Sequence, residues 1–423
     1  MTSTMEMMPE KPPRKDSDIP IIGTLVLTVT VFFKALRRNK VGMVGFIGLV
    51  FFALMSLLGP GLVPFDDDVK LDQIGAPPGS QVKILVQSAN VDRFRTLDDL
   101  QGQTVGLIDR SGGESLVEEY FAGFPEDNPP FEVETTRFSS GRGIPEAIEG
   151  LANGEVDALI IWSDNITDYI TSNRDLAQGD QFSDLVVSGS LGKRYLLGTD
   201  TQGRDIFSHI VNGGSSLIFV ALLAGFFSTA VAVLLGSMAA LVGGIPDRLL
   251  VSAANFVLTI PQFPVLVVLA LLIGSQLNNP FLLAGLIAAL SWPVLMRAVR
   301  AQVLSLRERE FVEAAQALGL GMPHIILREI LPNMMSFVAI NFIFAVTSAM
   351  YQQIGLIFLG MAPINDYTWG VMLFFGRTRG TLFSPDSMSM VLSPVIAIAL
   401  FQVCMVLFAR SLEEMFDPRL RSS

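Results

Sequence analysis

The chain has 423 residues, of which half are hydrophobic and 16% are charged, and its mean hydropathy is +0.50. Soluble domains carry about 25% charged residues, so the composition excludes an ordinary soluble globular protein and predicts an integral membrane protein. The single cysteine, Cys404, excludes an internal disulfide.

The net charge of −11 is unevenly distributed along the chain. Residues 66–196 contain 24 acidic and 10 basic side chains, whereas the rest of the chain contains 16 acidic and 19 basic side chains. This difference predicts an acidic aqueous domain inserted into a membrane-embedded body.

Six apolar segments are long enough, or nearly so, to cross about 30 Å of hydrocarbon, which takes roughly 20 helical residues. They are residues 41–63, 215–242, 250–273, 281–299, 334–359 and 390–409. A shorter apolar run, residues 19–33, is followed by a basic cluster and predicts a helix lying at the membrane interface. A short seventh span is the alternative for that run.

Lysine and arginine residues predict the orientation, because the short cytosolic flanks of membrane spans are enriched in them. Four basic residues lie between positions 34 and 40, before the first span, and Arg410, Arg419 and Arg421 follow the last span. Both termini are therefore predicted to be cytosolic, and residues 64–196 to be extracytoplasmic. Almost no ionisable residue lies at the predicted mid-membrane depth, which disfavours a proton- or ion-coupled secondary transporter.

Two prolines interrupt the third predicted span. Pro261 and Pro264 each remove a helical hydrogen bond, and at membrane depth the freed carbonyl needs a partner from protein or water. They predict a kink, which either improves packing alone or bends a helix that lines a pore.

The connection between the fourth and fifth spans, residues 307–333, is predicted to be a helix, a glycine turn and a second helix. Strong helix formers run from Glu308 to Leu318, and Gly319 follows as a stop signal. Pro323 is placed where a helix tolerates proline, at its first turn, and the second helix is expected to end before Pro332.

This loop resembles the coupling loop of importer permeases in the ATP-binding-cassette superfamily. The matching residues are Glu313, Ala314, Ala315, Gly319, Ile330, Leu331 and Pro332. The resemblance implies that the short helix rests in a groove on a cytosolic ATPase subunit and passes its closure to the pore. An ordinary solvated helix is the alternative.

Three further stretches resemble the second, C-type permease subunit of the dipeptide, oligopeptide and nickel branch of that superfamily. They are residues 37–41, residues 197–206 and residues 417–421. Residues 350–360 depart from the pattern, because Gln352 and Gln353 stand where related permeases usually carry an acid. This departure leaves the preference for substrate at the pore open.

Residues 64–196 alternate predicted strands with predicted helices. The predicted strands are 82–87, 104–108, 131–136, 158–162 and 184–187, and the predicted helices are 97–100, 114–121, 144–151 and one from Asn165. Such alternation predicts an α/β domain with a largely parallel sheet.

The same segment resembles one lobe of a type II periplasmic solute-binding protein. The matching stretches are residues 97–106, 111–113 and 146–158. The resemblance implies that Ser111, Gly112 and Gly113, at a helix N-terminus, contact an anionic ligand, because free backbone N–H groups and the helix dipole favour anions. Since only one lobe is present, a docking surface or gate for a separate binding protein is the favoured alternative.

Together these features predict an α-helical polytopic protein of the cell membrane, with six transmembrane helices, the type I importer fold and an inserted extracytoplasmic α/β domain. The predicted divisions are a cytosolic tail with an interfacial helix (1–40), the first transmembrane helix (41–63), the insertion (64–196) and a permease core (197–423) containing the coupling loop 307–333.

The resemblance implies a non-catalytic permease subunit of an importer of peptides or similar small solutes, with nickel chelates left open as substrates. The chain lacks a Gly-x-x-x-x-Gly-Lys-Ser/Thr phosphate loop, so ATP and Mg²⁺ are expected on a partner ATPase, and no cofactor or metal on this chain. The expected partners are a second permease subunit, cytosolic ATPase subunits, an extracytoplasmic solute-binding protein and membrane lipid, with no nucleic acid. A membrane sensor is the alternative function, and a membrane enzyme is disfavoured because no metal-ligand spacing or nucleophile constellation is present.

Overall fold

A computed structural model describes residues 36, 39–65, 70, 75–108, 113–124, 130–136, 143–162, 184–362, 368–381 and 388–416. The predicted interfacial helix at 19–33 and the helix predicted from Asn165 lie outside these residues. Most of the described chain is helical, and a smaller part forms one β-sheet.

The long helices follow the apolar segments of the sequence. In chain order the helices are α1 (Lys40–Leu62), α2 (Glu114–Phe121), α3 (Gly143–Asn153), α4 (Ile206–Gly213), α5 (Ser215–Val242), α6 (Gly244–Thr259), α7 (Gln262–Ile273), α8 (Pro280–Arg307), α9 (Glu310–Ala317), α10 in three consecutive pieces (Met322–His324, Ile325–Ile330 and Leu331–Asn333), α11 (Met335–Phe358), α12 (Trp369–Thr378) and α13 (Ser389–Phe416). Within the described residues, five helical stretches are long and apolar enough to cross a membrane: α1, α4 with α5, α8, α11 and α13. These five correspond to five of the six predicted spans.

The third predicted span, residues 250–273, bends at the prolines as predicted. The bend of 81° divides it into α6 and α7, and these helices meet the length and hydropathy criteria only as a pair that runs from Gly244 to Asn278. Pro261 precedes α7 in an extended conformation (φ −67°, ψ 107°) and has no N–H with which to continue α6. Pro264 lies in the first turn of α7, where a backbone N–H has no intrahelical partner in any case.

The long helices approach one another closely at glycines, as is common where lipid-embedded helices pack without a hydrophobic driving force between them. A Cβ atom on Gly225 of α5 would lie 3.0 Å from the backbone N of Val346 in α11. A Cβ atom on Gly236 of α5 would lie 2.7 Å from the carbonyl O of Met296 in α8. Helix α5 is therefore held between α8 and α11 at near backbone contact.

The strands are β1 (Val82–Gln87), β2 (Thr104–Ile108), β3 (Glu132–Thr136), β4 (Ala158–Trp162) and β5 (Leu185–Leu191), and they form one sheet in the order β3-β2-β4-β1-β5. Strand β2 pairs in parallel with β3 and β4, whereas β1 pairs antiparallel with β4 and β5. The prediction of a largely parallel sheet is therefore wrong: the sheet is mixed. Alternation of apolar residues predicts that a strand exists, but strand direction depends on the route of the chain between strands, and antiparallel strands join parallel sheets in many folds.

Both faces of the sheet are covered. Ile84 of β1 and Ile160 of β4 belong to a buried cluster that includes Val117 of α2. Leu159, on the opposite face of β4, belongs to a second buried cluster that includes Leu151 of α3. The described part of the segment predicted as an α/β domain is thus a sheet between helices.

Residues 197–206, which the sequence marks as a motif, join the sheet to the helical bundle. The Thr199 Oγ1 accepts a hydrogen bond from the Ala76 N–H (2.8 Å), and the Asp200 Oδ1 accepts from the Arg204 N–H (2.9 Å). Asp205 caps α4 by accepting from the Phe207 N–H (2.9 Å). These backbone contacts give the motif a structural role at the junction.

The contact between the first and last long helices should depend on Gly45. A Cβ atom there would lie 2.7 Å from the backbone N of Phe408 and 2.8 Å from the carbonyl O of Cys404, and neither backbone atom can move away alone. Gly45→Val should therefore destabilise the protein by about 1–3 kcal/mol, a typical cost of overpacking. The measurement is the apparent melting temperature of the purified protein in detergent.

Gly61 is the matched control, because it lies in the same helix and a Cβ atom there meets nothing within 4 Å. Gly61→Val should leave the melting temperature close to that of the unmodified protein. Equal melting temperatures for the two variants would show that α1 and α13 are not in close contact.

Candidate functional site

The predicted coupling loop forms a short helix directly after the long helix α8. Helix α9 begins after Arg309, whose backbone is extended (φ −89°, ψ 142°) and whose carbonyl accepts from the N–H of Val312 (2.9 Å) and Glu313 (3.2 Å). The helix is thus two residues shorter at its start than the stretch of helix formers suggests.

Gly319 ends α9 in the way the sequence predicts. It adopts a positive φ of 67°, a conformation that costs any residue with a Cβ atom about 1 kcal/mol or more. The Gly319 N–H donates to the Gln316 carbonyl (2.9 Å), and the Leu320 N–H donates to the Ala315 carbonyl (3.1 Å). These two bonds form a Schellman motif, which satisfies carbonyls at the end of the helix and reverses the chain.

The second helix of the loop does not end before Pro332, and that prediction is wrong. Helix α10 continues through Pro332 to Asn333, and the Met334 N–H still donates to the Ile330 carbonyl (3.1 Å). The piece Ile325–Ile330, immediately before the proline, is π-helical. The wider π turn shifts the pattern of backbone hydrogen bonds. It therefore accommodates proline, which has a bulky ring and lacks a backbone N–H.

One face of α9 is buried against the rest of the chain. Val312 and Ala315 belong to a buried cluster with Ile325 and Ile330 of α10. The cluster also contains Val303 of α8 and residues of α5 and α6, so the loop is packed onto the ends of three long helices. Of the predicted site residues, Ala315 and Ile330 are therefore packing residues within this chain.

The face of α9 adjacent to the buried one carries apolar side chains that this chain leaves exposed. Phe311 is 37% exposed and Leu318 is 77% exposed. Ala314 lies between them at helical spacing and is also exposed, so the three form an apolar stripe, which we call the exposed stripe of α9. Glu310 and Glu313 are exposed beside it.

Phe311 and Leu318 are functional candidates that were not predicted from the sequence. A signal was present, because α9 carries two interleaved apolar sets, one at 311, 314 and 318 and the other at 312 and 315. A helix with two apolar faces in an aqueous loop buries one face internally and leaves the other for a partner.

Two arginines tie together the ends of the long helices that lie next to α9. The Arg307 Nη1 donates to the Ala240 carbonyl near the end of α5 (3.0 Å), where the helix dipole favours a positive charge. Arg300 of α8 makes a bidentate pair with Asp247 of α6, with N–O distances of 2.5 and 2.6 Å. The end of α8, from which the loop begins, is therefore held in place by hydrogen bonds to α5 and α6.

The remaining predicted site residues lie elsewhere. Leu331 packs partly buried on the loop cluster, and Pro332 is exposed. Pro261 forms the break before α7, and the Gln262 Nε2 fixes that break to α8 by donating to the Leu290 carbonyl (2.9 Å). Helix α7 packs in a different buried cluster from the loop, so the structure does not bring Pro261 and Pro264 together with Glu313. Their role in lining a pore stays a prediction.

The candidate anion site in the α/β segment is only partly described. Ser111 and Gly112 lie outside the described residues. Gly113 precedes α2 with an ordinary φ of −89°, and a Cβ atom there would lie 2.8 Å from the Cγ2 of Ile160. Gly113 thus permits close packing of α2 on β4, and ligand binding there stays a prediction.

The shifted pKa values of the α/β segment belong to turn-forming contacts. The pKa of Asp99 lies below its usual value because its carboxylate accepts from the Arg95 N–H and from the hydroxyl and N–H of Thr96. Burial, and then a hydrogen bond to Asp98, raise the pKa of Tyr120.

Among the described residues, no group of three or more His, Cys, Asp and Glu side chains is placed to hold a metal ion.

Comparison with known proteins identifies the family. Residues 232–422 match the family described as the binding-protein-dependent transport system inner membrane component, and residues 30–78 match the N-terminal TM domain of oligopeptide transport permease C. A putative peptide permease protein of Brucella suis is 35% identical over 227 residues, which cover 53% of this chain and 74% of the relative. The chain belongs to the binding-protein-dependent transport permeases. It is a multi-pass membrane protein with the C-type N-terminal segment of that family.

Other relatives of this permease carry similar names. An oligopeptide transport system permease protein OppC of Mycobacterium bovis is 29% identical over 232 residues, covering 55% of this chain and 78% of the relative. Another, from Haemophilus influenzae, is 30% identical over 228 residues, covering 54% of this chain and 71% of the relative. The two family matches leave residues 79–231 uncovered, which include the whole sheet.

One solved structure is weakly similar. An ancestral arginine-binding protein bound to glutamine has 22% identity and a TM-score of 0.20, and the match covers 32% of this permease and 49% of that chain. A TM-score of that size does not support a shared fold for the α/β segment.

The end of α9 in this permease should depend on Gly319. Gly319→Ala should lower the free energy needed to open α9 by about 1 kcal/mol, because a positive φ is unfavourable for alanine. Hydrogen exchange measured by mass spectrometry should then show amides of α9 exchanging about fivefold faster. Gly321 is the control, because its φ of −66° suits any residue and a Cβ atom there would meet only Pro323, at 3.8 Å. Equal exchange in the two variants would contradict this account of the turn.

Proposed function

We propose that this permease is the transmembrane subunit of an ATP-binding-cassette importer for peptides or similar small solutes. In this proposal α9 is the coupling helix that receives movement from a cytosolic ATPase subunit. The observation that carries the proposal is that one short helix has a face buried against the long helices and an adjacent apolar face left exposed. The names of the relatives support peptides as the substrate class.

The buried face of α9 supplies a path for force. Val312 and Ala315 pack in one continuous cluster with Val303 of α8, Ala240 of α5 and Met334 at the start of α11. Protein interiors are close-packed and yield little to pressure, so a displacement of α9 moves the ends of these helices with it. Approach of two such loops, one from each permease subunit, would then switch the pathway between its outward and inward openings.

The exposed stripe of α9 has the chemistry of a docking helix. Phe311 and Leu318 offer apolar area, and Ala314 between them allows a partner backbone to approach closely. Glu313, exposed beside the stripe, can pair with a basic residue of the partner, which would fix the register of the contact.

The expected assembly follows from this role. ATP and Mg²⁺ would bind to the ATPase subunits, a second permease subunit would complete the pathway, and a solute-binding protein would deliver the substrate from outside. The termini would be cytosolic and the α/β segment extracytoplasmic, where it would serve as a docking surface or gate. A membrane sensor is the alternative, and ATP-dependent uptake separates the two.

The coupling role predicts that a charge on the exposed stripe uncouples the complex. Leu318→Glu should lower ATP-dependent peptide uptake about tenfold or more, because a carboxylate buried in an apolar contact without a partner is strongly unfavourable. The protein itself should remain folded, since Leu318 makes little contact within its own chain. Uptake is measured in proteoliposomes containing the natively copurified complex, together with the amount of ATPase subunit that copurifies.

Leu196→Glu is the control, because Leu196 is a similarly exposed leucine near the sheet, 56% exposed. It should leave the amount of copurifying ATPase subunit unchanged, because the segment that contains Leu196 would lie on the other side of the membrane from the ATPase. If Leu318→Glu transports normally and retains the ATPase, α9 is not the coupling helix. If no nucleotide-hydrolysing subunit copurifies with the unmodified chain, the importer proposal fails in favour of the sensor.

The orientation predicts which cysteines can be labelled from outside. The Cys404→Ser variant lacks the only native thiol. In this variant a single cysteine is introduced at an exposed position, either as Leu196→Cys or as Gln316→Cys. A membrane-impermeant maleimide should label position 196 on intact cells, and position 316 only after the membrane is opened. Labelling of position 316 on intact cells would reverse the proposed orientation.

A further inference from the structure

A small cavity lies at the end of the helical bundle that is nearest to the sheet. Its volume is about 250 Å³, and its wall is formed by the first turns of α5 and α8, the turn after α7, the last turns of α11 and the residue before α12. The polar residues of the wall are Ser216, Asn278, Gln353 and Thr368. The cavity is thus large enough for part of a small solute and has several hydrogen-bonding groups.

Among the residues that the structure describes, the cavity wall carries no charged side chain. Its other residues are aliphatic or proline, such as Val220 and Ile357. A charged group placed there would be separated from water without a counter-charge, which is strongly unfavourable. The wall therefore suits an uncharged polar group.

Gln353 is the residue of this wall whose hydrogen bonding is incomplete. Its side chain is only 3% exposed, and its Oε1 accepts no hydrogen bond within the described structure. A buried carbonyl oxygen without a donor is costly, and more so within a membrane-spanning helix such as α11. Because the Gln353 Oε1 lacks a donor and lies in an uncharged cavity, it suits a ligand that supplies an N–H or O–H group.

A second cavity of about 270 Å³ shares part of the same wall. Asn278 and Ala362 line both cavities, and Ser275 adds a further hydroxyl to the second. A solute seated at Gln353 therefore has adjacent space for its remaining groups, including charged ends that would lie outside the first cavity.

We propose that Gln353 accepts a hydrogen bond from a main-chain amide N–H of the transported peptide, and so acts as a specificity residue for peptide backbone. This inference rests on the proposed importer function. A peptide amide is uncharged, as the wall requires, and it supplies the donor that the Gln353 Oε1 lacks. Ordered water is the other possible source of a donor, and the experiment separates the two.

Gln402 provides a matched control for Gln353. It is also a deeply buried glutamine whose Oε1 accepts no hydrogen bond within the described structure, and its Nε2 contacts the Met350 Sδ at 3.1 Å. Gln402 does not line either cavity, so a loss that is specific to Gln353 cannot come from removing any buried glutamine.

The test uses tri-alanine and its analogues methylated in turn at each peptide nitrogen, with uptake measured in proteoliposomes containing the natively copurified complex. Methylation removes one N–H donor and leaves the charges unchanged. The unmodified complex should transport tri-alanine about tenfold faster than at least one analogue, the effect of one buried hydrogen bond to an otherwise unsatisfied acceptor. Gln353→Met should lower tri-alanine uptake and abolish that difference, whereas Gln402→Met should retain it.

The outcomes that overturn the proposal are distinct. Equal uptake of tri-alanine and every analogue by the unmodified complex would show that only water reaches Gln353, and this result does not depend on any variant folding. Retained discrimination in Gln353→Met, or in Gln353→Leu should the first variant fail to assemble, would assign the contact to another residue. Absence of any ATP-dependent tri-alanine uptake by the unmodified complex would instead overturn the importer proposal on which this one rests.

Discussion

The packing of Val312 and Ala315 against Ile330 is the contact on which the rest of the arrangement depends. It attaches a short aqueous helix to the ends of α5, α6 and α8 through one buried cluster, and Arg307 and Arg300 brace the same ends with hydrogen bonds. Without this contact α9 would be a surface helix that is not packed against α5, α6 or α8, so a movement of α9 would not displace them. With it, the exposed stripe of α9 and the membrane-spanning helices move as connected parts of one packed body.

The opposite end of the bundle is governed by a different constraint, the need to satisfy polar groups away from water. A backbone group finds a side-chain partner there when the Trp369 Nε1 donates to the Ile210 carbonyl (2.9 Å). Gln353 is set apart from this pair by an acceptor that has no donor. The two ends of the permease thus differ in kind: one is a packed apolar core beside α9, and the other contains a cavity with hydrogen-bonding groups.

Much of the fold could be predicted because it depends on local properties of the sequence. Length and hydropathy predict α5 at its observed bounds, and the strands β1, β2 and β4 likewise, since an apolar run of given length in a given solvent has few alternatives. The glycine turn at Gly319 was predictable for the same reason, because positive φ is a property of the residue. The predictions that proved wrong all depend on neighbours. A π turn accommodates Pro332 within the second helix of the loop, and β1 runs antiparallel to β4.

By itself, the sequence determined that this protein is a membrane protein, where five of its long helices run, and that a helix, a glycine turn and a second helix follow α8. These follow from composition and periodicity, which act over a few turns of chain. Only the tertiary structure decided which face of α9 is buried and which is left for a partner, because Val312 and Phe311 are equally apolar and differ only in what packs against them. It likewise singled out Gln353 from its neighbour Gln352: the Oε1 of each lacks a donor within the described structure, but only Gln353 lines the cavity. The presence of a cavity beside a side chain is a property of the whole packed bundle.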